Sequence, residues 1–466
     1  MSTCVVSRRV RIPKTFLKKS RADADLVISD TRNPDFGVRE NMKTYEELPK
    51  HFLVPKAYGL KYIRDNNLPF RALIPEGEKI DVSFKGQLRT AQVPVVDMAM
   101  KSLVREEGAV LNLYCGFGKT TCANMVSCRL GLKTLILVHT SALAEQWKER
   151  IEQFVQGCSV GMIRQTICDI EGRTHVVGLM QSISKRKYER GTFDSFGLMI
   201  IDECHHVCAE QLSECMKVAG TKFRLGLSAT PHRKDGFHHF LWSSIGEIAV
   251  TMERSSNTQE LLVEAVLVTT GPSTVHSTKR KFGKSVINMS RMVSDLCDAD
   301  RRSHLLASCI KGKVEEGRHI IVLSDRRQHL VTIEQLLDRF GVSTRFMVGG
   351  QKKKQVPSAN ARVILATYAF TSEGVDIPSL DTAVFATPRS DVVQTTGRIL
   401  RKFPDKKTPL VVDFVDSPFV FRNQFKKRVT YYESLGGKID YLDEDLESSS
   451  WGEKKKKVEP NFEFKF

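Results

Sequence analysis

Residues 114–120 read YCGFGKT, between an apolar run at 109–113 and a helix-like segment at 120–130. A glycine-containing turn between strand and helix aims backbone N–H groups and a helix N-terminus at phosphate. Gly116 and Gly118 flank Phe117 and let the backbone approach closely, and Thr121 follows in the first helical turn. Lys119 would reach the β- and γ-phosphates, and Thr120 can place its hydroxyl on Mg²⁺. The full G-x-x-x-x-G-K pattern asks for glycine at 113, where this chain has Leu113.

Three further stretches follow in order. LMIIDECH at 198–205 sets two acids at the carboxyl end of an apolar strand, where open α/β sheets bind ligand. Asp202 there can hold Mg²⁺ through water, and Glu203 can orient and deprotonate an attacking water. LGLSATPHRKDG at 225–236 ends a strand in Ser228 and Thr230, whose hydroxyls can bond the carboxylates of Asp202 or Glu203. QTTGRILR at 394–401 holds Gln394, with Arg398 and Arg401 spaced to share one helical face. Guanidinium groups so placed can stabilise charge on a transferring phosphoryl group, worth about 10³–10⁵ in rate. Singly, each stretch has a plainer reading: a chance turn, a helix cap, a strand end before proline, a solvated basic face. Their order and company favour nucleotide chemistry.

The elements that must position these groups are visible as alternating apolar runs and amphipathic segments. Runs at 109–113, 134–138, 176–179 and 198–201 alternate with helical patterns at 120–130 and 141–154. The alternation returns with runs at 320–323, 363–366, 383–386 and 410–414 and a helix at 328–340. Continuous apolar strands separated by helices predict parallel sheets covered on both faces. Residues 1–85 hold six prolines, which exclude long helices, and read as a small strand- and turn-rich accessory domain. The expected division is 1–85, an α/β domain at 86–250, a linker leading into a second α/β domain at 251–435, and a charged tail at 436–466. The tail call rests on DYLDEDLE followed by four lysines at 454–457.

Bulk properties set limits. Seventy-one Lys and Arg against 54 Asp and Glu leave a net charge of +17, which favours a polyanionic partner. No apolar stretch of about 18 residues occurs, so no membrane span is expected, and the basic N-terminus lacks a secretory apolar core. The eleven cysteines show no C-x-x-C pair and an odd count, which argues for reduced thiols inside a cell. Cys204, His205, His206 and Cys208 lie too close in sequence to converge on one tetrahedral ion.

Taken together, GFGKT, DECH, SAT, TSEGVDIP at 371–378 and QTTGRILR resemble the motif set of superfamily-2 D-E-x-H helicases and translocases. The stretch GRHIIVLSDRRQHL at 317–330 is similar to helicases of large cytoplasmic DNA viruses, of the poxvirus transcript-release type. The resemblance covers about residues 86–430 and implies an α/β fold of two tandem RecA-like parallel-sheet domains with ATP between them. It implies that Gln92 reads adenine, and that Thr140, Gln181, Ser182, Ser324, Arg326 and Thr367 touch a nucleic-acid backbone. At 139 the family's usual proline is replaced by His139. Gly374 and Asp376 would couple nucleotide to nucleic acid, with Asp376 also near ATP. Backbone contacts carry no sequence information, so little sequence specificity is expected. The implied activity is ATP hydrolysis with Mg²⁺, driving a motor on DNA in viral transcription, replication or repair. It would work in host cytoplasm or nucleus, alongside transcription machinery or packaged in the virion. RNA as substrate, duplex translocation without unwinding, and an inactive clamp remain alternatives, and oligomeric state is unread.

Overall fold

The computed structural model describes residues 2–29, 41–206, 209–231, 236, 238–253, 260–269, 278–281, 284–347, 361–368, 377, 379–401 and 403–443. The chain forms two compact units, Met1–Glu253 and Arg254–Phe466.

Strands Thr134–Val138 and Leu198–Ile201 carry no charge and are buried at every residue, as expected of strands packed on both faces. They lie within an eight-stranded sheet. Its order is Ile167–Cys168, Val160–Arg164, His175–Leu179, Thr134–Val138, Leu198–Ile201, Phe223–Ser228, Gly108–Leu113, Ile248–Met252. All neighbours run parallel except the outer pair at Ile167–Cys168. Helices Gln92–Glu106, Lys119–Leu130 and Ser141–Phe154 follow apolar spacings and bury Val96, Val126 and Trp147 in one core.

The N-terminal residues build a five-stranded sheet, Glu46–Glu47, His51–Val54, Val10–Pro13, Cys4–Val6 and Phe70–Ala72, around their own core. The expected break at residue 85 is not a physical gap. Ser83–Phe84 pairs with Val155–Gln156, and Phe84 stacks on Phe154 at 5.9 Å. Lys56 Nζ, buried, reaches Glu107 Oε2 at 2.7 Å, and Arg224 Nη2 donates to the Arg8 carbonyl at 2.8 Å. Paired charges are what allow such groups to be buried.

The second unit contains seven parallel strands in the order Thr344–Met347, Val363–Thr367, Ile320–Ser324, Thr382–Phe385, Leu410–Asp416, Leu262–Val268, Lys438–Asp443. Leu262–Val268 falls in the stretch read as a linker leading into this domain, with no strand assigned to it, and is an interior strand whose Glu264 is neutralised by Lys313 at 3.0 Å. Lys438–Asp443, expected in the charged tail, is the sheet's edge strand, where its charges need no burial. Among the described residues no helix is long and apolar enough to cross a membrane.

Candidate nucleotide site

Three of the four motifs leave the first sheet at neighbouring strand ends. Ile201 stands beside Gly226 in register, and Ser228 beside Asn112, so the turns after 113, 201 and 228 open on one carboxyl edge. That edge is where open α/β sheets hold ligands. Leu113 is the last residue of its strand and is fully buried, which accounts for an apolar side chain at this place.

Gly116 and Gly118 have φ of 87° and 98°, a region that favours glycine. Gly118 caps helix Lys119–Leu130, so the first free N–H groups of that helix face the loop. Phe117 is buried and packs edge-on against Tyr114 at 5.4 Å, so only its backbone belongs to the loop surface. Gln92 is buried under the loop: its Oε1 accepts from the Arg89 N–H at 2.9 Å and its Nε2 donates to the Phe117 carbonyl at 2.9 Å. Both ends of the Gln92 amide therefore hold protein backbone, and Arg89 also donates to the Phe117 carbonyl. A Cβ at 118 would overlap the Gln92 amide.

Lys119 Nζ lies 3.2 Å from Glu203 Oε1, joining the glycine loop to the acid pair. Burial alone would lower the lysine's pKa, but the charges of Glu203 and Asp202 outweigh it and hold the ammonium charged. Glu203 has φ of 44°, so the chain turns sharply after the strand. The Asp202 Oδ2 accepts from Trp147 Nε1 at 2.7 Å and its Oδ1 from the Glu203 N–H at 3.0 Å. Burial first, then the charge of Glu203, raises the Asp202 carboxyl to about 6, against the pull of Trp147 and Lys119.

Ser228 does not bond either carboxylate as expected. Its hydroxyl pairs with His205 Nδ1 at 2.8 Å and accepts from the Thr230 N–H at 3.0 Å. The link to the acids runs through His205, whose Nδ1 is also 3.4 Å from Glu203 Oε2. Trp147 and Arg89 are functional neighbours that motif reading missed, and His205 was read within DECH without its partner Ser228. Trp147 lies 55 residues from Asp202, and nothing in local spacing marks an indole N–H as an acid's partner. Thr120 and Thr121 are half-buried on the first helical turn. Carboxylate, hydroxyl, ammonium and helix N–H groups together suit a nucleotide triphosphate with a hard cation.

Of the residues assigned to nucleic acid in this unit, Thr140 caps helix Ser141–Phe154 by accepting from the Leu143 N–H at 3.3 Å. Gln181 is exposed, and the Ser182 hydroxyl accepts from the Gln165 N–H at 2.9 Å.

In the second unit Ser324 and Thr367 are register partners at the ends of adjacent strands. Ser324 is fully buried: its hydroxyl pairs with His329 Nδ1 at 3.1 Å and accepts from the Arg326 N–H at 3.1 Å. It is therefore a helix-entry device rather than an open contact. The Arg326 guanidinium holds helix Met289–Cys297, through the Ser290 carbonyl at 2.9 Å and the Ser290 and Ser294 hydroxyls at 2.8 and 3.3 Å. Helix Val393–Ile399 carries Gln394 and the largely buried Arg398, but it ends before Arg401. The shared helical face is thus replaced by a turn, in which the Arg401 N–H approaches the Arg398 carbonyl at 3.4 Å. Gly374 and Asp376 lie outside the described residues.

Comparison with known proteins agrees with this layout. The family model "Type III restriction enzyme, res subunit" matches residues 85–233. "Putative ATP-dependent RNA helicase L396" of Acanthamoeba polyphaga mimivirus is 29% identical, covering 94% of this chain and 86% of that protein. "Putative helicase 161L" of Invertebrate iridescent virus 6 is 25% identical, covering 91% and 96%. Among solved structures, S. cerevisiae Dbp5 bound to RNA and ADP BeF3 aligns with a TM-score of 0.51 at 13% identity, covering 75% of this chain and 90% of that one. That last likeness concerns the fold, two RecA-like parallel-sheet domains. The chain is an ATP hydrolase, similar over most of its length to proteins named as helicases in large DNA viruses.

Proposed function

We propose that this chain is a motor that couples ATP hydrolysis to movement along nucleic acid, with DNA as its preferred track. The observation that carries the reading is the Lys119–Glu203 pair at 3.2 Å, which ties the phosphate loop to the acid pair. When MgATP is bound, held by Thr120 and Asp202, the metal supplies positive charge to the phosphate oxygens. Lys119 then exchanges Glu203 for β- and γ-phosphate oxygens. Glu203, released, takes a proton from the water that attacks the γ-phosphorus, as the bond to ADP breaks. Arg398 and Arg401 are the proposed arginines that stabilise charge on the transferring group, with Gln394 as a further proposed member of the site. Gly374 and Asp376 couple that step to the track. Thr140, Gln181, Ser182 and Thr367 are the proposed backbone contacts, and changes in grip advance the protein.

RNA is the second reading, favoured by the naming of the mimivirus relative as an RNA helicase and by the RNA bound to Dbp5. Net charge of +17 suits either polymer. The test measures ATP hydrolysis without polymer and with single-stranded DNA, duplex DNA and RNA, for wild type, Lys119→Ala and Glu203→Gln. The expected outcome is strong stimulation by DNA and loss of at least about 100-fold in both variants. Hydrolysis indifferent to every polymer would refute the motor, and stronger stimulation by RNA would reverse the preference.

A further inference from the structure

Recognition of a nucleotide has two parts, the triphosphate that all nucleotides share and the base that tells them apart. The groups gathered at the loop, Lys119, Thr120, Asp202 and the helix N–H groups, address the first part. The family resemblance assigns the second to Gln92, whose amide would read the adenine edge. The surroundings of Gln92 give it a different task.

Gln92 opens helix Gln92–Glu106, and the turn before it is closed from both sides. The Gln92 N–H donates to the Arg89 carbonyl at 2.8 Å, and the Arg89 N–H donates back to Gln92 Oε1 at 2.9 Å. A glutamine side chain reaching back three residues in this way is the return bond of a capping box. The other end of the amide, Nε2, donates to the Phe117 carbonyl at 2.9 Å, and the Arg89 guanidinium donates to the same oxygen. A carbonyl has two lone pairs, so these two donors fill it. The guanidinium also lies over the Phe117 ring, 5.8 Å from its centre. Residues 89 and 92 thus clamp the phosphate loop at Phe117.

Reading adenine takes one acceptor and one donor on the same amide, for the N6 amino group and for N7. Gln92 has both, but each is engaged on backbone. Each end of the amide keeps one further hydrogen-bonding position. At 3% exposure, however, Gln92 offers no approach wide enough for the edge of a base. Turning the amide outward would break two hydrogen bonds to make two, and would remove one of the loop's two clamps. A site preorganised to hydrogen-bond a substrate group rejects analogues lacking it by about 10⁴–10⁵. A site that must break as many bonds as it makes keeps little of that discrimination.

We propose that this site does not select the base, so that the chain hydrolyses GTP, CTP and UTP as well as ATP, with Gln92 and Arg89 as positioning residues that hold the phosphate loop. The inference rests on the nucleotide reading of the site. The step is the same for each substrate: water adds to the γ-phosphorus, its proton passes to Glu203, and the bond to the bridging oxygen breaks, releasing the nucleoside diphosphate. The base takes no part in it.

The test measures kcat and KM for the magnesium salts of ATP, GTP, CTP and UTP at saturating single-stranded DNA, for wild type, Gln92→Ala and Gln92→Glu. Displacement of a fluorescent ADP by ADP, GDP, CDP and UDP follows binding without turnover. In wild type, kcat/KM and displacement should agree across the four bases within about 10-fold. Both substitutions should raise KM by about 10-fold for every nucleotide alike, leaving the ratios between bases where they were. A base reader predicts otherwise. A carboxylate at 92 would accept from the amino groups of adenine and cytosine and repel the carbonyl oxygens of guanine and uracil, so Gln92→Glu would split the four into two pairs. That split overturns the proposal, and so does a wild-type preference for ATP above about 100-fold. The wild-type comparison stands even where a substitution misfolds. Hydrolysis of none of the four would refute the nucleotide site itself, and this inference with it.

Discussion

Replacing Trp147 with phenylalanine tests whether the indole N–H positions the Asp202 carboxylate, the proposed metal ligand. Trp147 Nε1 donates to Asp202 Oδ2 at 2.7 Å, and both residues are buried. A hydrogen bond to a charged group contributes about 1.5–3 kcal/mol. Asp202 keeps the Glu203 N–H on its other oxygen at 3.0 Å, so the carboxylate stays tethered at one side and free to rotate at the other. If the lost energy appears in the transition state, kcat/KM falls by about 10- to 150-fold at 1.36 kcal/mol per decade.

The assay is steady-state hydrolysis at saturating polymer, repeated across Mg²⁺ concentrations. A positioning role predicts a several-fold rise in the Mg²⁺ needed for half-maximal rate, together with the loss of kcat/KM. Packing damage alone would not produce that rise. Ile151→Val serves as control, since Ile151 is buried in the same helix and core, and the substitution costs about 0.5–1.5 kcal/mol of stability. That variant should shift the urea midpoint and leave the Mg²⁺ dependence alone. Trp147→Phe with kcat/KM within twofold of wild type and an unmoved Mg²⁺ midpoint would refute the reasoning.

Three other outcomes follow from the geometry. Gly118→Ala combines a φ of 98° with an overlap on Gln92, so KM for ATP should rise by about 10-fold or more while the circular dichroism spectrum holds. Arg428 grips both oxygens of Asp413 at 2.7 and 2.9 Å in the buried core of the second unit. Arg428→Met should therefore cost about 3–5 kcal/mol by urea unfolding, and adding Asp413→Leu should recover part of it. Burial lowers His175 to about 4 from an unfolded value near 6.5. The unfolded chain thus binds the extra proton between those values, and stability falls as pH drops from 6.5 to 4, by about 3 kcal/mol in all. His175→Asn should flatten the urea-midpoint profile across that window, whatever its effect at pH 7.

The parts of the fold that were legible share a property: their strands can be buried without help. Residues 134–138 and 198–201 were assigned their full extents because no charge interrupts them. Leu262–Val268 was missed because Glu264 breaks the apolar run, and only the fold brings Lys313 to neutralise it. Lys438–Asp443 was missed for the opposite reason, since an edge strand with one well-buried residue, Leu442, has little apolar signal to give.

The same division runs through the candidate site. Lys119, Thr120, Asp202 and Glu203 were legible because backbone turns at strand ends announce them locally. The roles of Trp147 and Arg89 were not, because Trp147 meets Asp202 and Arg89 meets the Phe117 carbonyl through contacts set by the fold rather than by spacing. His205 was legible only without its partner Ser228. Arg326 shows how a position can be read and its role misjudged. Its place after a strand end suggests a direct phosphate contact, yet its guanidinium is committed to Ser290 and Ser294. Arg326→Ala should therefore loosen helix Met289–Cys297, raising hydrogen exchange there. A loss of one phosphate contact without any change in exchange would return Arg326 to the role its position first suggested.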